Sequence, residues 1–177
     1  MQNSSIQKGE NMKIKTIELK DYKLFKGKRA FKFSDRLNLI SGPNGSGKTI
    51  LFNALRESIV NRVPGAKISL EGEVDDFKNN LELIFIDEEQ IRKNESSIAD
   101  DQSTGSRNFE ALMTILEKRT STKKNLPLII DAHLFSIMNP ADRERIFEAI
   151  LTLQTQIILF EHDFKGMKGG KRYRLKI

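Results

Sequence analysis

Apolar and polar positions alternate with a period of two along residues 12–20 and again along 29–33, which predicts two strands separated by turns near Asp21-Tyr22 and Gly27. Residues 36–40 give a third, short strand. After Gly47 the spacing becomes helical and should run to about Asn61, where Val63-Pro64-Gly65 stops it. Alternation returns at 68–74, and 81–86 reads as a further strand. Residues 87–105 are charged and then polar, without a period, and read as irregular. From 107 to 119 Phe109, Leu112, Met113, Ile115 and Leu116 mark a helix whose apolar stripe is core. Residues 126–131 predict a buried strand ending in an acid. Asn139-Pro140 opens a helix to about Leu153, with proline at its first turn. Residues 156–160 form another buried strand, and 173–177 alternate as a sheet edge would. Residues 1–11 are polar and are expected to be a disordered tail. No internal repeat is present.

A chain of 177 residues suits one domain with a layered core. It has no cysteine, which excludes disulfides and thiolate metal sites. No apolar run approaches the ~20 residues of a membrane helix, and the N-terminus does not resemble a signal peptide. The expectation is a soluble cytoplasmic protein with no membrane partner. The formal net charge of +6 is uneven. Lysines and arginines crowd residues 8–32 and 165–176, while the stretch from Glu71 to Asp101 is acidic. The basic ends either build a face for a polyanion such as DNA or are solvated, edge-protecting strand faces.

The strongest chemistry lies at residues 42–49, Gly-Pro-Asn-Gly-Ser-Gly-Lys-Thr, which match the phosphate-binding loop G-x-x-x-x-G-K-[ST]. Glycines at 42, 45 and 47 let the backbone curl, so that N–H groups of Asn44, Gly45, Ser46 and Gly47 can surround a phosphate. Lys48 adds a point charge for the β- and γ-phosphates, and Thr49 offers a hydroxyl to Mg²⁺. The loop joins a predicted strand to a predicted helix, the context the motif requires. ATP with Mg²⁺ is the expected cofactor pair.

Asp131 ends an apolar strand well downstream of Lys48. A carboxylate there can hold Mg²⁺ beside Thr49, or can simply cap a turn. His162 follows the next apolar strand, on the rim where open α/β sheets bind ligands. It can reach the γ-phosphate or the attacking water, or be structural.

With these residues in hand, the chain resembles the ATP-binding-cassette ATPases, in their SMC and RecF-like branch. Residues 14–25 look like that branch's first strand and turn, and the motif order from Gly42 to His162 follows it. The resemblance covers nearly everything after the tail. It implies an α/β fold, a three-layer P-loop NTPase of ABC-ATPase type with a mixed sheet and flanking helices. It further implies one domain over 12–177, with a P-loop lobe at 12–95 and a signature and Walker B lobe at 96–177. Gln90 looks like the Q-loop glutamine, which in the family touches metal and attacking water; otherwise it is an exposed loop residue. Ser103-Thr104-Gly105 looks like the signature core, residues 136–139 like the D-loop, and His162 like the switch histidine. In this family two heads sandwich two ATP molecules, and the signature Ser103 and Gly105 of one head would meet the γ-phosphate held by the other. ATP-dependent pairing with itself or with an effector protein is the implied partnership, with DNA a possible partner.

The chain departs from the family where hydrolysis is carried out. Ala132 stands where a glutamate usually orients the attacking water, and His133 where proline is common. Asn139 replaces the usual D-loop aspartate, and Gln102, Thr104 and Ser106 erode the signature. Losing a water-positioning group commonly costs about two to four orders of magnitude in rate, so slow hydrolysis with ATP as a switch is expected. Glu161, Glu88 or Glu89 could rescue activity. Only about a dozen residues separate Gln90 from Ser103, with no heptads, so the head is either naturally armless or has had its arms removed. A non-hydrolysing ATP sensor is the competing reading. A small nucleotide kinase fits less well, because several strands precede the loop, and a transporter cassette lacks room for its helical subdomain.

Overall fold

The computed structural model describes residues 11–95, 103–122, 125–162 and 169–175. The expected tail at 1–10, Gln102 of the eroded signature, and residues 163–168 lie outside them. Asn11 is described, and forms an isolated bridge with Asn125.

β1 (Lys13–Tyr22) and β2 (Phe25–Lys32) form a hairpin. Asp21 and Lys23 take positive φ at its turn, and the Asp21 carboxylate accepts from the Gly27 N–H at 2.8 Å. β3 (Leu37–Ser41) leads through the glycine loop into α1 (Lys48–Val60), which stops at Asn61. β4 (Ala66–Glu71) joins β1 on its other side, giving an antiparallel sheet in the order β2-β1-β4.

Two stretches differ from the sequence reading. Residues 81–86 are not one strand: α2 (Val74–Asn79) and a single turn, α3 (Leu81–Ile84), precede a two-residue β5 (Phe85–Ile86). Nor are residues 87–105 wholly irregular, because α4 (Glu88–Glu95) occupies their first half. Its signals are polar. The Asp87 carboxylate accepts from the Gln90 N–H at 3.0 Å, and Glu88–Arg92 and Glu89–Lys93 pair one turn apart. A search for apolar period overlooks such a helix.

α5 (Thr104–Ser121) follows, capped by Ser103, and then β6 (Leu128–Asp131). A 3-10 helix (Ala132–Ile137) precedes α6 (Pro140–Thr152), β7 (Ile157–Glu161) and β8 (Lys171–Arg174). Asn139 caps α6, its side chain accepting from the Asp142 N–H at 2.9 Å, with proline in the first turn as expected.

The second sheet is all parallel, ordered β5-β6-β7-β3-β8. It draws strands from both sides of residue 95. β3, β5, β6 and β7 are covered on both faces and read as apolar runs, whereas the edge strand β8, Lys-Arg-Tyr-Arg, is largely exposed. Ile40, Ile129, Ile158 and Phe160 face α1 and the antiparallel sheet. Leu39, Ile130, Leu128 and Leu159 face α5 and α6. The result is the expected three-layer α/β arrangement.

Gln156 joins the two sheets. Fully buried, it accepts from the Ile14 N–H at 2.8 Å and donates to the Ile14 and Ser34 carbonyls, both at 2.9 Å. β1 shifts register against β4 between Ile14 and Thr16, and the amide satisfies the backbone groups at that step. Arg119 plays a similar part at the end of α5. It donates to the carbonyls of Leu83, Leu126 and Pro127, and burial pushes its pKa down to about 10.

Candidate functional site

In an open parallel sheet, ligands meet the carboxyl ends of the strands. Here β3 ends at Ser41, β6 at Asp131 and β7 at Glu161, and a cavity of about 350 Å³ lies above them. Asn44, Gly45, Gly47, Lys48 and Thr49 line it, together with Asp131, His133, Phe160, Glu161 and His162. Leu24 and Ile50 add an apolar side, with Leu24 52 % exposed.

The loop's shape follows from its glycines. Gly45 and Gly47 hold φ of +78° and +90°. A Cβ on Gly47 would stand 2.9 Å from Phe25 Cζ, and one on Gly42 would stand 2.4 Å from Ser46 Oγ. The glycine at the N-cap of α1 has no side chain to accept from the helix's first N–H groups, and the first turn holds no acid. Those donors and the helix dipole therefore address the loop, an arrangement that suits an anion. Ser46 Oγ, buried in the same loop, has no hydrogen-bond partner among the described residues. Lys48 Nζ donates to the carbonyls of Gly42 and Pro43, at 2.6 and 3.0 Å. Burial lowers its pKa, while the charges of Asp131 and Glu161 act the other way. The donors thus fit a polyphosphate, with Thr49 and Asp131 as the oxygen ligands that Mg²⁺ prefers.

Asp131 also caps the 3-10 helix, its Oδ1 accepting from the His133 N–H at 3.2 Å. The sequence left capping and metal binding as alternatives; the structure shows the cap, on a carboxylate that also lines the cavity with Thr49. Burial raises its pKa, with the His133 hydrogen bond and the Lys48 charge opposing. A divalent cation beside it would favour the ionised form.

The remaining sequence candidates stand apart from this cavity. Gln90 is on α4 rather than in an exposed loop; it is buried, and its Nε2 has no partner among the described residues. Ser103 is exposed at the N-cap of α5, its hydroxyl accepting from the Ser106 N–H at 3.3 Å. A second cavity of about 270 Å³ lies between α4, the start of α5 and the 3-10 helix, and meets the first at Asp131 and His133. Ser46 turns inward, beneath the loop. The sequence reading passed over Leu24, Ile50 and Phe160 as lining residues. Leu24 and Ile50 carry no polar signal, and Phe160 reads as core.

The AAA domain family matches residues 16–168, well over half of the chain. The chain belongs to that family. The fold is similar to an SMC head domain from Thermotoga maritima, with a TM-score of 0.58 and 15 % identity over 85 % of this chain and 89 % of that one. It is also similar to a protein assigned as an ABC transporter ATP-binding protein from Pyrococcus furiosus, at a TM-score of 0.54 and 14 % identity over 90 % and 97 % of the two chains. No curated protein matches the sequence. The chain is thus an AAA-family domain that carries the phosphate-binding loop at 42–49 and shares its fold with SMC heads and ABC ATP-binding proteins. No helix among the described residues is long and apolar enough to cross a membrane.

Gly105 has a role inside the chain besides the one implied for the signature. A Cβ there would stand 2.4 Å from the Ile137 carbonyl oxygen, so only glycine lets α5 begin against the 3-10 helix. Gly105→Val is expected to lower stability by about 1–3 kcal/mol through overpacking, read as a fall in the melting midpoint. An unchanged midpoint would leave Gly105 without this packing role.

Proposed function

We propose that residues 12–177 form one cytoplasmic ATPase head that hydrolyses MgATP slowly and uses ATP mainly to pair heads, or to pair with an effector protein. In this reading Asn44, Gly45, Ser46, Gly47 and Lys48 hold the phosphates, Thr49 and Asp131 hold the metal, and His162 attends the attacking water; Gln90, buried on α4 outside this cavity, reaches metal and water only if α4 shifts when nucleotide binds. Ser103 and Gly105 serve the nucleotide of a second head. The observation that carries the proposal is the separation of these groups. Loop, Asp131 and His162 share one cavity, whereas Ser103 lies exposed outside it. A site divided in this way is completed by a second molecule. Slow turnover follows from Ala132, which brings no carboxylate beside Asp131.

The charge distribution supports a polyanionic partner such as DNA. β2 and β8 bring the two basic ends of the chain together: Lys171 Nζ and the Tyr173 hydroxyl both donate to the Lys32 carbonyl at 2.5 Å. Lys32 stays exposed beside Lys171, and Lys26, Lys28 and Arg29 of β2 and Arg172 and Arg174 of β8 are exposed as well.

Mass in solution tests the proposal, measured with and without MgATP and duplex DNA for the intact protein and Ser103→Arg. An ATP-dependent doubling lost in the variant is expected, with the melting midpoint falling by no more than the few degrees that loss of the α5 N-cap accounts for, about 1 kcal/mol. A monomer under every condition overturns pairing with itself. Tight ATP binding with no turnover favours the sensor reading.

A further inference from the structure

β6 and β7 run parallel, with Asp131 level with Phe160. One residue further along each chain, position 132 is an alanine and position 161 a glutamate. Neighbouring strands lie about 4.8 Å apart. β6 gives way to the 3-10 helix at Ala132, whereas β7 continues to Glu161 beside Ser41 of β3, so the end of β7 supplies a carboxylate about one strand spacing from the strand end that Asp131 closes. We propose that Glu161 is a catalytic residue that orients the attacking water. This rests on the ATP-hydrolysing reading above and assigns its missing group.

Geometry separates Glu161 from the other carboxylates the sequence offered. It lines the cavity with Lys48, Thr49 and Asp131, and its charge acts on Lys48. Glu88 lines the second cavity and pairs with Arg92 at 2.7 Å. Glu89 pairs with Lys93 at 3.0 Å on the exposed side of α4. Asp131 accepts from the His133 N–H and lines the same cavity as Thr49, where the reading above gives it to the metal. Glu161 Oε1 accepts from the His162 N–H at 2.6 Å, which fixes the carboxylate at the strand end. Among the described residues no other hydrogen bond engages it, and its second oxygen is free to accept from water.

The step balances without a further reactant. The water oxygen bonds to the γ-phosphorus as the bond from that phosphorus to the β–γ bridging oxygen breaks. ADP leaves with the electron pair. Glu161 takes the water's proton and passes it to the phosphate released.

The test uses the whole chain. MgATP turnover, nucleotide affinity and melting midpoint are measured for the intact protein, Glu161→Gln, Lys48→Ala and the double variant Ala132→Glu/Glu161→Gln. Glu161→Gln should lower turnover by about 100-fold or more at unchanged affinity and midpoint. Adding Ala132→Glu should recover at least about tenfold of that loss, because the carboxylate returns one strand away. Turnover of Glu161→Gln close to that of the intact protein overturns the proposal and leaves the ATPase reading standing. A double variant that recovers nothing overturns the equivalence of the two positions. An intact protein that binds ATP without Lys48-dependent turnover also overturns the role of Glu161, and one that binds no ATP removes the ATPase reading itself.

Discussion

Lys48→Ala is expected to weaken MgATP binding by about 10- to 100-fold while leaving the melting midpoint nearly unchanged. The size follows from the bonds involved. A hydrogen bond to a charged group contributes about 1.5–3 kcal/mol, and each 1.4 kcal/mol is a factor of about ten in affinity. The ammonium of Lys48 is held within the loop by the Gly42 and Pro43 carbonyls, at 2.6 and 3.0 Å, so little ordering is required when phosphate arrives. Its partial burial, which lowers its pKa, strengthens any interaction with an anion at short range. The fold depends on the side chain much less, since Lys48 belongs to neither apolar cluster. Calorimetric titration with MgATP, paired with a thermal melt, separates the two effects. Equal affinity in the variant would mean that the nucleotide is not held by this loop.

Much of this site was legible in the sequence because its chemistry is local. The phosphate loop needs glycines, a lysine and a threonine at fixed offsets, and the order strand–loop–helix is set by neighbouring residues. Asp131 and His162 were legible for a related reason, since each follows a run of apolar residues that can only be a covered strand. Two kinds of feature were hidden. One was structure fixed by polar groups: α4 is held by Asp87 and by ion pairs one turn apart, with Gln90 and Ile91 buried along it. In α3 the alternation of Leu81 and Leu83 imitates a strand until β5 pairs with β6 at Phe85 and Ile86. The other was proximity between distant segments. Glu161 and Asp131 lie 30 residues apart and reach one cavity only through the pairing of β6 and β7. Gln156 gives no sign in sequence that its amide will satisfy Ile14, 142 residues away.

Phe52→Ala is expected to be the most damaging single substitution for the fold, at about 3–5 kcal/mol. Phe52 is 3 % exposed on α1 and meets two rings edge-on, Phe85 at 5.5 Å and Phe160 at 5.6 Å between centroids. One side chain thus holds the P-loop helix against β5 and β7 at once. Removing it leaves a cavity where three elements converge, and none of them can close it without moving the others. For a chain of this length the loss corresponds to a fall of about 10 °C in the melting midpoint, with Phe52→Leu falling less because it refills part of the space. The site should respond as well. Phe160 immediately precedes Glu161 and His162 and itself lines the nucleotide cavity, so a loosened contact with Phe52 frees the end of β7 relative to Lys48 and Thr49. Turnover of Phe52→Leu, measured well below its melting midpoint, should therefore fall by more than its nucleotide affinity does. An equal fall in both would place the effect in α1 alone, and not in the alignment of the two strand ends that the chemistry needs.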